Sequence, residues 1–411
     1  MKFLSLLLCS TLFLEGYTLQ ELVELAQKNR VVEAANLSLQ SKQKAYESTK
    51  SGYLPTLSLN ATLQNSYKET PISPRNLIRG NANIHYTLYD GGKRGALYEK
   101  LLYSVDASKE NLEATKNTIA LDVSRLYFEY LSFEAHKQSI HQEIQQLQAE
   151  LKRLQMYYQT GSVTKDEVDK IDSRLKTQKV ALSEIEIERE RVLHMLEYYT
   201  DERIEDISAG SHLRVNSAFH DVETRPDIKV LEFQTKALMS DAQATKSATL
   251  PTLHFQNTFT HTDFFFADKA NESPFIVKNQ NIATVNAEWN IFDFGAISEA
   301  YESKQFEYLS QKASLEFEIN KADVEHRLAK KELEIFELKL EATAASLKAA
   351  SETYELIKLK YQNGTIDNVA YLEALSEKQA ALYAHEKAKN DLEIKKAELL
   401  YYSGKTIKEF L

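Results

Sequence analysis

Residues able to do chemistry are few in this chain, and their spacing argues against a reaction. Of 411 residues, 10 are histidine and one, Cys9, is cysteine. The histidines are scattered: His136 and His141 stand five apart, whereas two side chains sharing a helix face need a spacing of four. No HExxH, GxSxG or P-loop pattern occurs. The segment DGGKRG at residues 90–95 carries Gly and Lys after an alternating stretch, yet lacks the spacing of a loop that cradles phosphate. The sequence therefore predicts no enzyme, no cofactor and no metal site. DGGKRG is distinctive in another way. It lies within IHYTLYDGGKRGALYE, and about two hundred residues later VNAEWNIFDFGAISEAYES runs a second alternating stretch into Asp and Gly.

Composition narrows the classes. With 43% hydrophobic and 27% charged residues, the chain fits an ordered protein too long for one small domain. Its net charge is -10 and no Lys/Arg block appears, so it lacks the basic stripe that displaces counterions from phosphates. No nucleic-acid partner is expected. Lys2 followed by the apolar run from Phe3 to Leu14 is too short to span a bilayer and predicts a secretory signal peptide at residues 1–16. Leu14 departs from the small residue preferred two positions before a cut at Gly16. Leu8, and the few apolar residues ahead of Cys9, read against lipid attachment there. The mature chain then has no thiol at all. No later stretch reaches the ~18 apolar residues of a transmembrane helix, so an exported chain of this kind is free in the periplasm, secreted, or inserted as strands.

The elements around the two Asp-Gly segments repeat. Asp90 and Asp293, Tyr158 and Tyr361, and Gly161 and Gly364 are all 203 apart (293 − 90, 361 − 158, 364 − 161). Pro55 and Pro251, each within LPTL, are 196 apart, so the second copy is seven residues longer between its Pro and its Asp. An insertion in the connection between two strands would account for this. The strands show in period two: Leu57, Leu59, Ala61 and Leu63 alternate with Ser58, Asn60, Thr62 and Gln64, and Ala82, Ile84, Tyr86 and Leu88 with Asn83, His85 and Thr87. In the second copy Leu253, Phe255 and Phe259 face away from His254, Gln256, Thr258 and Thr260, and Ala283 through Ile291 alternate in the same manner. Strands of about ten residues with one apolar and one polar face suit a tilted membrane strand. A soluble sheet with one wet face gives the same pattern, but nothing else in the chain could cover such a sheet. Tyr67, Tyr89, Phe264 to Phe266, Trp289 and Phe292 lie near strand ends, where membrane barrels carry aromatic girdles.

After each Asp comes a helix with almost no breaker, of ~69 residues and roughly 100 Å. Its seam is heptad-like: Tyr130, Phe133, Ile140, Ile144, Leu147, Leu151, Leu154 and Tyr158, matched by Leu333, Phe336, Leu340, Thr343, Leu347, Ala350, Tyr354, Ile357 and Tyr361. A return helix follows each tip glycine, ending near Tyr199 and near Ser403. The organisation expected is an N-terminal helix at 17–52, strands one and two within 53–90, a helical hairpin at 91–200 with its tip near 161, and a polar belt at 201–225. An upper helix at 226–249, strands three and four within 250–293, a second hairpin at 294–403 with its tip near 364, and a tail at 404–411 complete it. Asp90, Gly91 and Gly92, and Asp293 and Gly295, are the expected joints where strand becomes helix, Asp capping amides and Gly taking the turn. Four strands cannot close a barrel, since at least about eight are needed to remove edges exposed to lipid. The chain must oligomerise. Two copies or three satisfy that requirement equally well.

These residues resemble the outer-membrane factor family typified by TolC. The likeness spans essentially the whole mature chain and rests on LQELVELAQKN, YLPTLSLNATL and TLPTLHF, YTLYDGG and WNIFDFG, RPDI, and YQNGTIDNVAYLEALSEKQAAL, in that order and duplicated. The resemblance implies a mostly α protein with a transmembrane β part: a homotrimer whose twelve-stranded outer-membrane β-barrel continues into a twelve-helix periplasmic α-barrel tunnel. It implies outer-membrane lipid around the strands, a periplasmic adaptor (membrane fusion protein), and an inner-membrane pump of RND, ABC or MFS type. By the same resemblance, Tyr158, Gly161, Ser162, Val163, Tyr361, Gly364 and Thr365 are adaptor-docking tip residues. The family's gate sets an acidic residue, here Glu167, against an aromatic, Tyr361, and an Arg whose place is taken by Ile366. The usual charged latch is therefore missing. A pair of lumen acids maps to Ala370 and Glu373, so one ring of three carboxylates is expected, favouring cations in a narrow pore. A lone Glu on a coiled coil is otherwise simply a solvated position.

The function implied is a passive exit duct of a tripartite efflux system for small molecules, drugs or metal ions. Type I protein secretion uses the same kind of duct and is the alternative. A periplasmic coiled-coil adaptor or scaffold also has long hairpins, but four paired strands of membrane length read against it.

Overall fold

A computed structural model describes residues 16–219, 221–269 and 276–411. The expected signal peptide lies, apart from Gly16, outside the described residues. The chain forms two compact units, which the long helices enter in turn: one holds residues 35–111 and 227–319, the other the residues through 34 together with 112–226 and 320–411.

The first unit carries a single antiparallel sheet in the order β1-β2-β3-β4, formed by β1 (Thr56–Asn65), β2 (Asn76–Tyr89), β3 (Thr252–Phe265) and β4 (Asn279–Glu288). Alternation fixes the register, because a slip of one residue would exchange the two faces. Leu57 opposes Ile84, Leu59 opposes Ala82 and Leu63 opposes Ile78. Only three of the seven extra residues of the second copy lie between its strands, since residues 266–278 replace the ten of 66–75. The other four lengthen β3, which has 14 residues where β1 has 10; residues 289–292, the counterparts of 86–89, fall outside the second copy's ladder, because β4 stops at Glu288 while β2 runs to Tyr89, next to its Asp. Trp289 and Ile291 therefore stand beyond the ladder, and Trp289 Nε1 donates to the carbonyl of Thr249 at 3.1 Å. Beside the sheet, α5 (Pro226–Lys246) lies between the N-terminal parts of α3 (Lys93–Gln159) and α6 (Ala296–Gln362). Asp241 of α5 takes Lys100 of α3 at 2.7 Å and Lys304 of α6 at 3.5 Å, binding both long helices to the short one.

The second unit is a layer of helices. Apolar side chains of α3 and α4 (Lys165–Thr200) interdigitate around Ile140, Ile144, Leu147, Leu154, Ile171 and Leu175. Polar contacts join α3 to α7 (Asn368–Tyr402): Ser139 donates to Gln379, Arg125 to Glu398 at 2.8 Å, and His136 stacks on Tyr383 at 4.0 Å. A smaller cluster around Tyr354, Tyr371 and Leu375 joins α7 to α6. The lateral order is thus α4-α3-α7-α6. Both predicted seams are present, but their burial differs. In α3 the seam is largely enclosed, although its last member, Tyr158, is exposed. In α6 only Leu333 and Tyr354 of the predicted seam are buried, and Val324, Leu328, Ile335, Leu338, Leu356 and Leu359 form a second apolar stripe open to solvent. The reason is position: α3 has neighbours on two sides, α6 on one.

The N-terminal helix expected at 17–52 is two helices, α1 (Leu19–Ala26) and α2 (Arg30–Gly52). Asn29 makes the break. Its Oδ1 accepts the N–H of Val32 and its Nδ2 donates to the carbonyl of Tyr199, while Asp201 accepts the N–H of Arg30. A short polar residue that serves as a cap in this way competes with helix continuation. The belt of residues 201–225 then ties the unit together. Tyr127 donates to the carbonyl of Ser208, Tyr130 to Asp206, and the N–H of Leu213 to Glu393.

At the end of α7, Gly404 has φ +75°, and a Cβ there would collide with the carbonyl of Glu223. Left-handed backbone costs an L residue about 1–2 kcal/mol before any clash. Gly404→Ala is expected to lower the thermal midpoint of the detergent-solubilised protein by several degrees; an unchanged midpoint would contradict this account of the belt.

Candidate functional site

The two faces of the sheet, two strand–helix joints and two hairpin tips carry the features that the sequence singled out. On the sheet, the face bearing Leu57, Leu59, Leu63, Ile84, Phe259 and Val285 is apolar and open, Leu59 and Leu63 being 78% and 81% exposed. The opposite face presents hydroxyls and amides, with Thr258 donating to Asn83 at 2.9 Å and Thr260 to Asn81 at 3.0 Å across the strands. Among the described residues β1 and β4 each have one unpaired edge. A soluble sheet turns its apolar face inward; this one leaves it bare, and among the described residues no helix is long and apolar enough to cross a membrane. At the ends, Tyr67 is 95% exposed and Phe294 92%.

The joints are turns in left-handed conformation. Asp90 accepts the N–H of Arg94 at 2.9 Å, and Asp293 accepts those of Gly295 and Ile297 at 3.0 and 2.8 Å, which satisfies donors that a helix start leaves free. Gly91 and Gly92 have φ +68° and +88°, and a Cβ on Gly91 would meet the carbonyl oxygen of Ser247 at 2.5 Å. In the second copy the same conformations fall on Phe294 and Gly295. A bulky aromatic at positive φ is an outlier.

Both hairpin tips use one design. At the end of α3 the N–H of Gly161 donates to Tyr158 O and that of Ser162 to Tyr157 O; at the end of α6 Gly364 donates to Tyr361 O and Thr365 to Lys360 O. This is the paired 5→2 and 6→1 arrangement that closes a helix with glycine in the left-handed region, and φ is +76° and +72°. Three residues on, Thr164 and Asp367 are the N-caps of α4 and α7, Asp367 accepting the N–H of Ala370 at 3.0 Å. Gly161, Ser162, Gly364 and Thr365 are exposed, whereas Val163 packs against the α3–α4 core.

The remaining expected residues are placed as follows. Glu167 accepts from the hydroxyl of its own N-cap, Thr164, at 3.3 Å. Tyr361 is held elsewhere: its hydroxyl donates to Glu150 of α3, its ring stacks on Tyr371 at 4.7 Å, and the Arg153 guanidinium lies 4.5 Å from the ring centre. Arg153 also donates to Glu150 at 2.8 Å. Burial, and then the bond to Glu150, hold the Tyr361 phenol well above its usual value. Ile366 is half-buried, Ala370 half-buried in the first turn of α7, and Glu373 exposed one turn further on. Sequence reasoning missed Glu150 and Arg153 because the 203-residue offset gives them Thr353 and Leu356 as counterparts, so the repeat hid them. Their spacing of three on one helix face, beside a seam tyrosine, was the available signal.

The profile of the outer membrane efflux protein family matches residues 22–197 and 222–405. The chain belongs to that family. No curated protein matches the sequence. Among solved structures, similar folds include a membrane protein from Pseudomonas aeruginosa (17% identity, TM-score 0.83, covering 95% of this chain and 91% of that one) and the Campylobacter jejuni CmeC outer membrane channel (18%, 0.80, 94% and 85%). The open state of the Neisseria gonorrhoeae MtrE outer membrane channel is another (18%, 0.78, 95% and 89%). At such identities the likeness establishes the fold, which this member of the outer membrane efflux protein family shares with those structures.

Tyr361→Phe keeps the stack on Tyr371 and removes the bond to a charged acceptor, a loss of about 1.5–3 kcal/mol. Amides of the α6–α7 tip should exchange roughly ten- to a hundredfold faster, and unchanged protection would show that the bond does not hold the tip. The effect should be constant from pH 5 to 9. A phenol whose folded pKa exceeds its unfolded value of about 10 contributes fully below that value and loses its contribution only as pH rises through the folded one.

Proposed function

We propose that this chain is the outer-membrane channel of a tripartite efflux system, a passive duct for small molecules delivered by an inner-membrane pump through a periplasmic adaptor. One observation carries the proposal: a sheet with a bare apolar face and two unpaired edges, in a member of the outer membrane efflux protein family. In lipid, each unpaired backbone group costs several kcal/mol. Pairing β4 of one copy with β1 of the next satisfies both edges at once, and repetition of such a head-to-tail contact closes a ring. The open stripe of α6 and the exposed Val180, Ile187 and Tyr198 of α4 lie at the two lateral ends of the helix layer, where the same repetition would bring them together. Family resemblance favours three copies: a twelve-stranded barrel, with apolar faces toward lipid and polar faces toward a lumen, and a ring of twelve helices. The signal sequence expected at the N-terminus and the aromatic girdles fit an outer-membrane location.

Gly161, Gly364 and their neighbours, exposed at the turns, are proposed to meet the adaptor, and Glu373 to contribute a ring of carboxylates to the lumen. Tyr361, braced by Glu150 and Arg153, takes the part of a latch in place of the charged pair that Ile366 precludes.

The purified protein, reconstituted in planar bilayers, should conduct, with a trimer mass in detergent, and Glu373→Ala should reduce its cation preference. A detergent-free, soluble and folded monomer without conductance would refute the channel; unaltered selectivity would remove Glu373 from the pore. Gly364→Val forces a β-branched residue into left-handed backbone and should weaken efflux in cells while trimers persist. Normal efflux would argue against docking at that turn.

A further inference from the structure

Two imidazoles stand out on the polar face of the sheet. The ladder places His85 of β2 opposite Gln256 and His254 of β3 opposite Thr87, so the histidines are diagonal neighbours on one face, within reach of each other. Their rings lie 5.6 Å apart, centre to centre, at 22°. The hydroxyl of Thr87 is 3.3 Å from His254 Nδ1. The next two rungs of the same face are Thr–Asn pairs that satisfy one another. The two rungs that carry His85 and His254 instead bring two nitrogen bases together on the diagonal.

We propose that His85 and His254 form a two-histidine site for a borderline divalent metal ion, Zn²⁺, Ni²⁺ or Cu²⁺, on the wall of the lumen. Neutral imidazole is the ligand these ions favour over the hydroxyls and amides around it. When Thr87 Oγ1 accepts the proton of His254 Nδ1, the lone pair is left on Nε2, the division of labour that a metal-bound histidine needs. Metal–nitrogen bonds are about 2.0–2.1 Å, so two rings at this separation reach one ion with a small side-chain turn, and water completes the coordination. Adjacent hydrogen-bonded strands hold both Cα atoms in place, so little ordering accompanies binding. His85 is exposed and His254 half-buried, which leaves the pair accessible from one side. The pair needs only one chain; its position on a lumen wall rests on the channel proposed above. Each bound ion would add positive charge to that wall and lower the passage of cations.

The test uses tag-free, metal-free protein in detergent, titrated calorimetrically with ZnCl₂ and NiCl₂, and the same protein in planar bilayers. One ion per protomer is expected, with affinity falling at least about tenfold in His85→Gln and in His254→Gln and unaltered in His194→Gln, a change on α4. Zinc should reduce the conductance of the unmodified channel reversibly, EDTA restoring it, and should not affect the two sheet variants. Equal affinity in the sheet variants, no binding, or loss in His194→Gln would overturn the site. Binding without any change in conductance would overturn its place on the lumen wall. Protein that binds zinc but never conducts would sink the channel reading and leave the histidine pair standing.

Discussion

Everything in this molecule depends on the fate of backbone groups along two strand edges. A four-stranded antiparallel sheet with both edges open and one face of bare Leu, Ile and Phe side chains is unstable as an isolated object: in water the face aggregates, and in lipid the edges remain unsatisfied. Closure by further copies, as proposed above, would resolve both problems with no new kind of contact. The same logic governs the helices. Their layer ends in α4 on one side and α6 on the other, each with apolar side chains that nothing among the described residues covers.

Within the chain, polar residues do the aligning that uniform apolar seams cannot. Long heptad-like helices can slide by a turn with small cost, because one aliphatic seam resembles the next. Glu143, 5% exposed, accepts from Arg174 and Gln178 of α4, and Arg174 in turn donates to Ser376 of α7 at 2.8 Å. Three helices share that network: sliding α3 against α4 would leave the buried Glu143 carboxylate without partners, and sliding α7 would take Ser376 from Arg174. Asp241 does the same among α3, α5 and α6. These contacts fix register, while the apolar clusters supply most of the stabilisation.

The two copies have diverged where their neighbours differ. Gly91 abuts Ser247 and cannot gain a side chain, whereas its counterpart Phe294 projects almost wholly into solvent and bears the strained φ. Glu167 and Ala370 occupy the same position after the N-cap, yet Thr164 is paired with Glu167, and Asp367 caps Ala370 directly. A duplicated sequence thus keeps its turns, since turn geometry is local, and alters the contacts, since those depend on what packs beside each copy.

The local features were legible in the sequence. Period-two alternation marked all four strands, the scarcity of Gly and Pro marked the long helices, and the 203-residue offset marked joints and tips, because each is set by near neighbours along the chain. Breaks that depend on distant partners were not legible. Asn29 splits the N-terminal helix because Tyr199 and Asp201 lie beside it, and β4 ends at Glu288 because its ladder partner β3 begins at Thr252. Tertiary structure alone decided that Tyr361 is held by Glu150 and Arg153, and that His85 and His254, 169 residues apart (254 − 85), share one face. Sequence fixes the period of each element, but which side chains meet across elements is settled by register and lateral order, and these emerge only when whole faces are packed together.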